Sequence, residues 1–192
     1  MIIIYIIADV LIFSFIIIER LLRKGPQAKS MEKTSYDKGS TNFIAFALVV
    51  SCILIFIAPV MNYYKFGSFN LTITFNLIGI LIMVSGLSVR VIAALTLGRF
   101  YTKTLRTTKN HKIISHGVYK YIRNPGYLGV ISLLIGAGIS INNIYSIIII
   151  SLSVLVSYIY RIRIEERMMI DNLGEEYKDY LKRTKRLLPF IY

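Results

Sequence analysis

The sequence predicts an all-α integral membrane protein of five transmembrane helices, the last two a tight hairpin, with a cytoplasmic connector and C-terminal helix forming the site. Three observations predict it. The chain is 55% hydrophobic and only 17% charged, too apolar for the polar surface a soluble domain needs. Apolar runs recur at 2–18, 43–64, 71–97, 126–140 and 143–160, and a bilayer crossing takes about 20 residues. The basic residues lie almost wholly between those runs, on alternate connections. Open strand edges are not viable in hydrocarbon, so the runs are helices.

The first run starts without a basic n-region, and Glu19-Arg20 follows it where a cleavage site would stand. It therefore reads as a retained span, not a signal peptide. Asp9 lies at its middle, and an intramembrane carboxylate is a functional candidate by default; an interhelical hydrogen bond or a neutral acid is the competing reading. The second run holds Cys52, the only cysteine, which excludes an internal disulfide and a cysteine-cluster metal site and reads as a small apolar residue within a span. No metal is expected. In the third run Gly79, Gly86, Arg90 and Ala93 share a face, which predicts close helix packing. Arg90 either snorkels to the interface or points into a polar cavity. In the fourth, Gly129, Ser132, Gly136 and Ser140 repeat on one face; Gly136-Ala137-Gly138 is no phosphate loop, since no strand precedes it. Little more than Ile141-Asn142 joins the fourth run to the fifth.

The loops give the orientation. Segment 19–42 carries six Lys/Arg, 98–124 carries seven and 161–192 carries eight, whereas the opposite connections hold only Lys65. The positive-inside rule then places the N-terminus outside and the C-terminus in the cytoplasm. The net charge of +13 is accounted for by topology, and no basic groove or recognition helix suggests nucleic acid. The chain divides into three N-terminal helices over 1–97, with the basic loop 19–42, and a core over 98–192 containing the helical hairpin 126–160.

Unusual polar residues concentrate in two cytoplasmic segments. In the first, His111 to Gly129, Pro125 suits the first turn of the fourth helix with Asn124 as N-cap. That helix start offers free backbone N–H groups to an anion, and Gly117 and Gly126 permit close backbone approach. In the second, Arg161 and Glu165 are four apart on one helical face. With the turn centred on Ile141 and Asn142, antiparallel partners have numbers summing to about 283, which sets Arg123 beside Tyr160 and Arg161 beside Ile122. The two segments then meet at one membrane-water boundary. The residues alone support a ligand site with access from the membrane, against an ordinary capped helix entry and an interfacial salt bridge.

At these segments the chain resembles the isoprenylcysteine carboxyl methyltransferase family and its phospholipid methyltransferase relatives. The matching elements are Gly117-Val118-Tyr119, Arg123-Asn124-Pro125-Gly126-Tyr127, Glu165-Glu166, Leu173-Gly174-Glu175-Glu176-Tyr177 and Leu188-Pro189-Phe190-Ile191, spread over roughly 98–192. The resemblance implies a membrane-embedded, S-adenosylmethionine-dependent methyltransferase. By resemblance its cofactor pocket is lined by His111, Lys112, Ile113, Ile114, Tyr119, Asn124, Pro125, Gly126, Tyr127 and Glu165. Arg161 corresponds to the substrate-binding arginine, and Arg123 is a second candidate anchor in the catalytic set. The implied partners are membrane lipids and a lipophilic small-molecule, lipid or prenylated peptide acceptor, favoured to be methylated on a carboxylate. Asn124 departs from the pattern by standing where the family usually has His, so a mechanism needing that His as base does not carry over. An amine or thiol acceptor would need another base, such as His111, His116 or Glu166. The alternatives are a phospholipid or other amine or thiol methyltransferase, an NADPH-dependent reductase of the related sterol reductase type, and a non-catalytic membrane scaffold.

Overall fold

The computed structural model describes residues 2–22, 37–69, 72–98 and 113–188. Six α-helices account for most of them: α1 (Ile2–Leu22), α2 (Ser40–Tyr63), α3 (Ile73–Leu97), α4 (Pro125–Ile141), α5 (Ile144–Leu173) and α6 (Glu175–Arg183), with a 3-10 turn at Gly117–Lys120. Among the described residues the only β pairings are isolated bridges, Ser68 with Asn143 and Ile122 with Lys185.

Helices α1, α2, α3 and α5 are long and apolar enough to cross a membrane, while α4 has 17 residues and is about 26 Å long at 1.5 Å per residue. Their outward faces are apolar, as with Ile6, Val10, Phe13 and Ile17 on α1 and Phe46, Val49, Ile53 and Phe56 on α2. A soluble bundle would reverse that pattern. The core is small and aliphatic: Ala8, Ile12, Ile55, Met83, Leu133, Leu134, Ile150 and Val154 interlock with almost no exposure.

The most extensive interface joins α3 to α4, and glycine makes it. A Cβ on Gly79 would lie 2.5 Å from the Ser140 nitrogen, one on Gly86 2.6 Å from the Gly129 oxygen, and one on Gly136 2.7 Å from the Gly79 oxygen. The two small-residue faces read in the sequence are therefore the two sides of one backbone-to-backbone contact, the packing that apolar solvent favours because side-chain burial gives no hydrophobic gain there. Asn76 seals it by donating to the Ser140 carbonyl at 2.7 Å.

Helix α2 lies along α5, and α4 runs back against α5. Their connection comprises Asn142, which caps α4 in the left-handed region (φ 64°), and Asn143, which caps α5 by accepting from the Ser146 N–H. The Asn143 amide donates to Asn62 Oδ1 (2.8 Å) and the Phe66 carbonyl (2.9 Å), and Asn62 donates to the Ile141 carbonyl (2.8 Å). This amide cluster ties α2, α4 and α5 together at one end of the bundle. The charged residues gather at the other.

The hairpin register differs from the expected one. Gly138 faces Ile147 and Tyr127 packs on Tyr158 at 5.1 Å between ring centroids, pairs whose numbers sum to 285. Both asparagines lie in the turn, which adds the extra residues. Farther down, Arg123 reaches Glu166, not Tyr160, and Arg161 reaches Tyr127, not Ile122. Residues ahead of α4 are non-helical, and an extended residue advances about 3.3 Å against 1.5 Å in a helix. Each one therefore runs past about two residues of α5.

Candidate functional site

The charged end of the bundle holds three linked groups. The first is centred on Glu165. Tyr127, in the first turn of α4, donates its hydroxyl to Glu165 Oε2 at 2.7 Å, and its hydroxyl oxygen accepts from Arg161 Nε at 3.4 Å. Tyr119 is buried beneath this group, with its hydroxyl 3.5 Å from the Ala93 carbonyl. Burial, reinforced by the nearby Glu165 carboxylate, pushes its phenol well above the usual range against the opposing charge of Arg90, so Tyr119 remains a neutral donor. Tyr177 of α6 is buried and shifted up for the same reasons, burial first and then Glu165 and Glu166. Tyr180 beside it is pushed up to about 12 by burial, and its hydroxyl donates to the Tyr119 carbonyl at 2.8 Å. A half-buried carboxylate thus stands among tyrosines from three separate segments.

The second group fastens the C-terminal segment. Glu166 accepts from Arg123 at 3.1 Å and from Arg186 at 2.7 Å. Arg123 Nη1 also donates to the Leu181 carbonyl at 3.2 Å and to the Thr184 carbonyl. Backbone bonds from Arg123 N–H to Lys185 (2.8 Å) and from Lys185 N–H to Tyr121 (3.0 Å) complete the clasp. Gly174, at φ 57° and ψ −129°, permits the break between α5 and α6 that brings the segment round; only glycine adopts that conformation without strain.

The third group lies at the start of α2. Asp37 Oδ1 accepts from Arg161 Nη1 at 2.9 Å, from Ser40 Oγ at 2.7 Å and from Thr41 Oγ1 at 2.9 Å. Burial acts to raise its pKa, but the hydroxyl and backbone donors and the Arg161 charge outweigh it, holding the carboxyl below the usual range. Nearby, Arg90 Nε meets Glu19 Oε1 of α1 at 2.6 Å, so Arg90 takes an ion-pair partner within the bundle.

Of the expected site residues, Tyr119, Tyr127, Glu165 and Arg161 come together. Pro125 and Gly126 are buried at the start of α4, and Ile113 and Ile114 are half-buried ahead of it. His111 and Lys112 lie outside the described residues, as do Pro189, Phe190 and Ile191 of the last matching element. Asn124 holds the N-cap position, but its side chain makes no cap bond; its amide donates to the Arg186 carbonyl at 3.0 Å. The competing pull of the C-terminal segment is the physical reason. Arg123 engages the clasp and not the Arg161 face. His116 is exposed. Asp37, Ser40, Thr41 and Glu19 were not singled out as site residues, because they fall in a segment that reads only as a topological signal. No group of His, Cys, Asp or Glu among the described residues could hold a metal ion.

Comparison with known proteins points to one family. Residues 77–171 match the isoprenylcysteine carboxyl methyltransferase (ICMT) family. A "Probable protein-S-isoprenylcysteine O-methyltransferase" of Oryza sativa subsp. indica is 29% identical over 150 residues, covering 77% of this chain and 74% of that one. The protein-S-isoprenylcysteine O-methyltransferase of Saccharomyces cerevisiae is 28% identical over 149 residues, covering 77% and 62%. A solved structure of a eukaryotic intramembrane Ras methyltransferase, an isoprenylcysteine carboxyl methyltransferase, superposes with a TM-score of 0.64 at 27% identity. The match covers 77% of this chain and 52% of that one, so the chain spans about half the length of the solved protein.

Proposed function

The chain belongs to the isoprenylcysteine carboxyl methyltransferase family, and from that premise we propose that it is an S-adenosylmethionine-dependent carboxyl O-methyltransferase acting within the membrane on an isoprenylcysteine-like acceptor. The observation that carries the proposal is the line Glu165, Tyr127, Arg161, in which an acid and a cation meet one phenol at the start of α4.

The residues present fit a sulfonium donor. Glu165 can accept from the donor's ammonium or ribose hydroxyls, and the rings of Tyr119 and Tyr127 can face its adenine or its cation. The Gly126 N–H at the start of α4 suits its carboxylate; Pro125 has no N–H to offer, and those of Tyr127 and Leu128 are taken by the Asn124 carbonyl. When bound, S-adenosylmethionine supplies an electrophilic methyl group to an acceptor oxygen. An ionised carboxylate is already a nucleophile, so the protein's work is orientation and exclusion of water. Arg161 binds the acceptor carboxylate; Tyr127 links it to Glu165 and so spaces acceptor from donor. No proton need move, and Asn124 in a position that cannot titrate is compatible with this chemistry. Glu166 has its carboxylate taken by Arg123 and Arg186, which leaves the acceptor carboxylate to Arg161. The reading carries with it five crossings, α4 being the short one, an outside N-terminus, and a cytoplasmic site opening sideways to the lipid that delivers the prenyl chain.

Titration of the purified protein with S-adenosylmethionine and with NADPH tests the class: methyltransferase requires binding of the first, and binding of NADPH alone would overturn it. Glu165→Ala should abolish donor binding, whereas Arg161→Ala should leave it intact and impair use of an S-prenylated cysteine. Label transferred from the methyl group should be released by mild alkali as methanol, as from an ester. Alkali-stable label would point to an amine or thiol acceptor instead.

A further inference from the structure

Arg161 is buried in α5, and three side chains from the start of α2 converge on one of its nitrogens. Nη1 donates to Asp37 Oδ1 (2.9 Å), Ser40 Oγ (2.9 Å) and Thr41 Oγ1 (3.1 Å). Asp37 Oδ1 accepts in turn from both hydroxyls and, at 3.2 Å, from the Thr41 N–H. Every bond in the cluster meets at one carboxylate oxygen and one guanidinium nitrogen. Asp37 Oδ2 is buried without a hydrogen-bond partner, and among the described residues Arg161 Nη2 makes no hydrogen bond.

This is not the geometry that stability favours. An arginine and a carboxylate paired for their own sake meet as a two-pronged fork, and burying both charges carries a desolvation cost that the attraction at best offsets. Leaving a carboxylate oxygen orphaned adds to that cost. What the one-point contact does achieve is orientation. Three partners on Nη1 and Tyr127 on Nε fix the plane of the guanidinium and leave its Nη2 edge uncommitted.

We propose that Asp37, with Ser40 and Thr41, is a positioning group for the acceptor, holding Arg161 by Nη1 so that Nη2 receives the acceptor carboxylate. The segment entering α2 thereby joins a site whose family match begins only at residue 77. This rests on Arg161 binding the acceptor, as proposed above. Asp37 itself touches neither donor nor acceptor; it acts through Arg161.

The test uses the full chain in lipid nanodiscs with S-adenosylmethionine and an N-acylated S-isoprenylcysteine. Asp37→Ala should lower kcat/KM for the acceptor about tenfold or more, the scale of a lost charge-assisted hydrogen bond, while the dissociation constant of S-adenosylmethionine stays within about twofold. Asp37→Asn, which retains an oxygen for Nη1, should fall between that variant and the native chain. Added to Arg161→Ala, Asp37→Ala should cause no further loss, because its effect passes through the residue already removed. Should Asp37→Ala fail to fold, Ser40→Ala gives the same split at smaller size. Unchanged or improved acceptor use in Asp37→Ala, or additive losses in the double variant, would overturn the positioning role. Normal acceptor use in Arg161→Ala would instead overturn the acceptor assignment beneath it.

Discussion

Glu165 and Glu166 are consecutive, yet a helix turns them about 100° apart, and their partners separate completely. Glu165 meets the Tyr127 phenol; Glu166 lies between Arg123 and Arg186, with little exposure of its carboxylate. Single substitutions should therefore separate binding from stability. Glu166→Gln leaves two guanidiniums sharing a neutral amide. Removing one partner of a well-buried pair costs about 3–5 kcal/mol, and the partial exposure of Arg186 places the expected loss toward or below the lower figure. Limited trypsinolysis should then cut the chain readily near Lys182 and Arg183, while Glu165→Gln should resist cleavage as the native chain does and lose donor binding. Equal protease resistance in the two variants would refute the division. The adjacent acids were visible in the sequence as one element of a resemblance that already set Glu165 apart for the donor; that Glu166 is taken up by two arginines was not visible, because those lie 43 residues before and 20 residues after it.

At the scale of elements, hydrophobic runs located α1, α2 and α3 and the start of α5 to within a few residues, because a span's length and composition are set by the bilayer and not by its neighbours; α5 itself continues 13 residues past its apolar run, to Leu173, where polar residues carry the helix on. The small-residue faces of α3 and α4 were equally legible, although that they face each other needed the structure. Least legible were contacts made across the helix starts, such as Asp37 to Arg161 over 124 positions, and the register of α4 against α5, which depends on how much of the turn is helical. The glycine contact yields its own prediction. Substituting Gly136 with Leu drives a branched side chain toward the Gly79 carbonyl and the Met83 nitrogen, where even a Cβ would be at 2.7 and 2.8 Å. Backbone cannot yield as a side-chain tip can, so the loss should exceed the typical 1–3 kcal/mol or so of overpacking, and thermal denaturation in detergent should show a clear fall. Leu at Gly98, where a Cβ would have nothing within 4 Å, adds strain from its positive φ but no clash. It should cost much less. A Gly136→Leu variant as stable as the native chain would mean that α3 and α4 do not pack at backbone distance.

For the whole molecule the decisive property is sidedness, since a donor made in the cytoplasm can serve the site only if the charged end of the bundle faces that compartment. The two ends of the bundle differ in kind. One is closed by neutral amides, Asn62, Asn142 and Asn143, with Lys65 the nearest cation in sequence. The other collects Glu19, Arg90, Arg123, Arg161, Glu166 and Arg186 into ion pairs. Lysine and arginine resist translocation during insertion, so the proposed orientation, with the charged end inside, is the one to test. Cys52 lies within α2 and is the single native thiol, which makes the test direct. In a Cys52→Ser background, Lys65→Cys should react with a membrane-impermeant maleimide applied to intact cells, whereas Lys178→Cys, exposed on α6, should react only after permeabilisation. Reversed labelling would turn the molecule over and place the Glu165 site out of reach of cytoplasmic S-adenosylmethionine. Labelling of both positions from outside would mean that the number of crossings between them is even, removing α4 as a span and with it the fifth crossing on which the cytoplasmic assignment of the C-terminus depends.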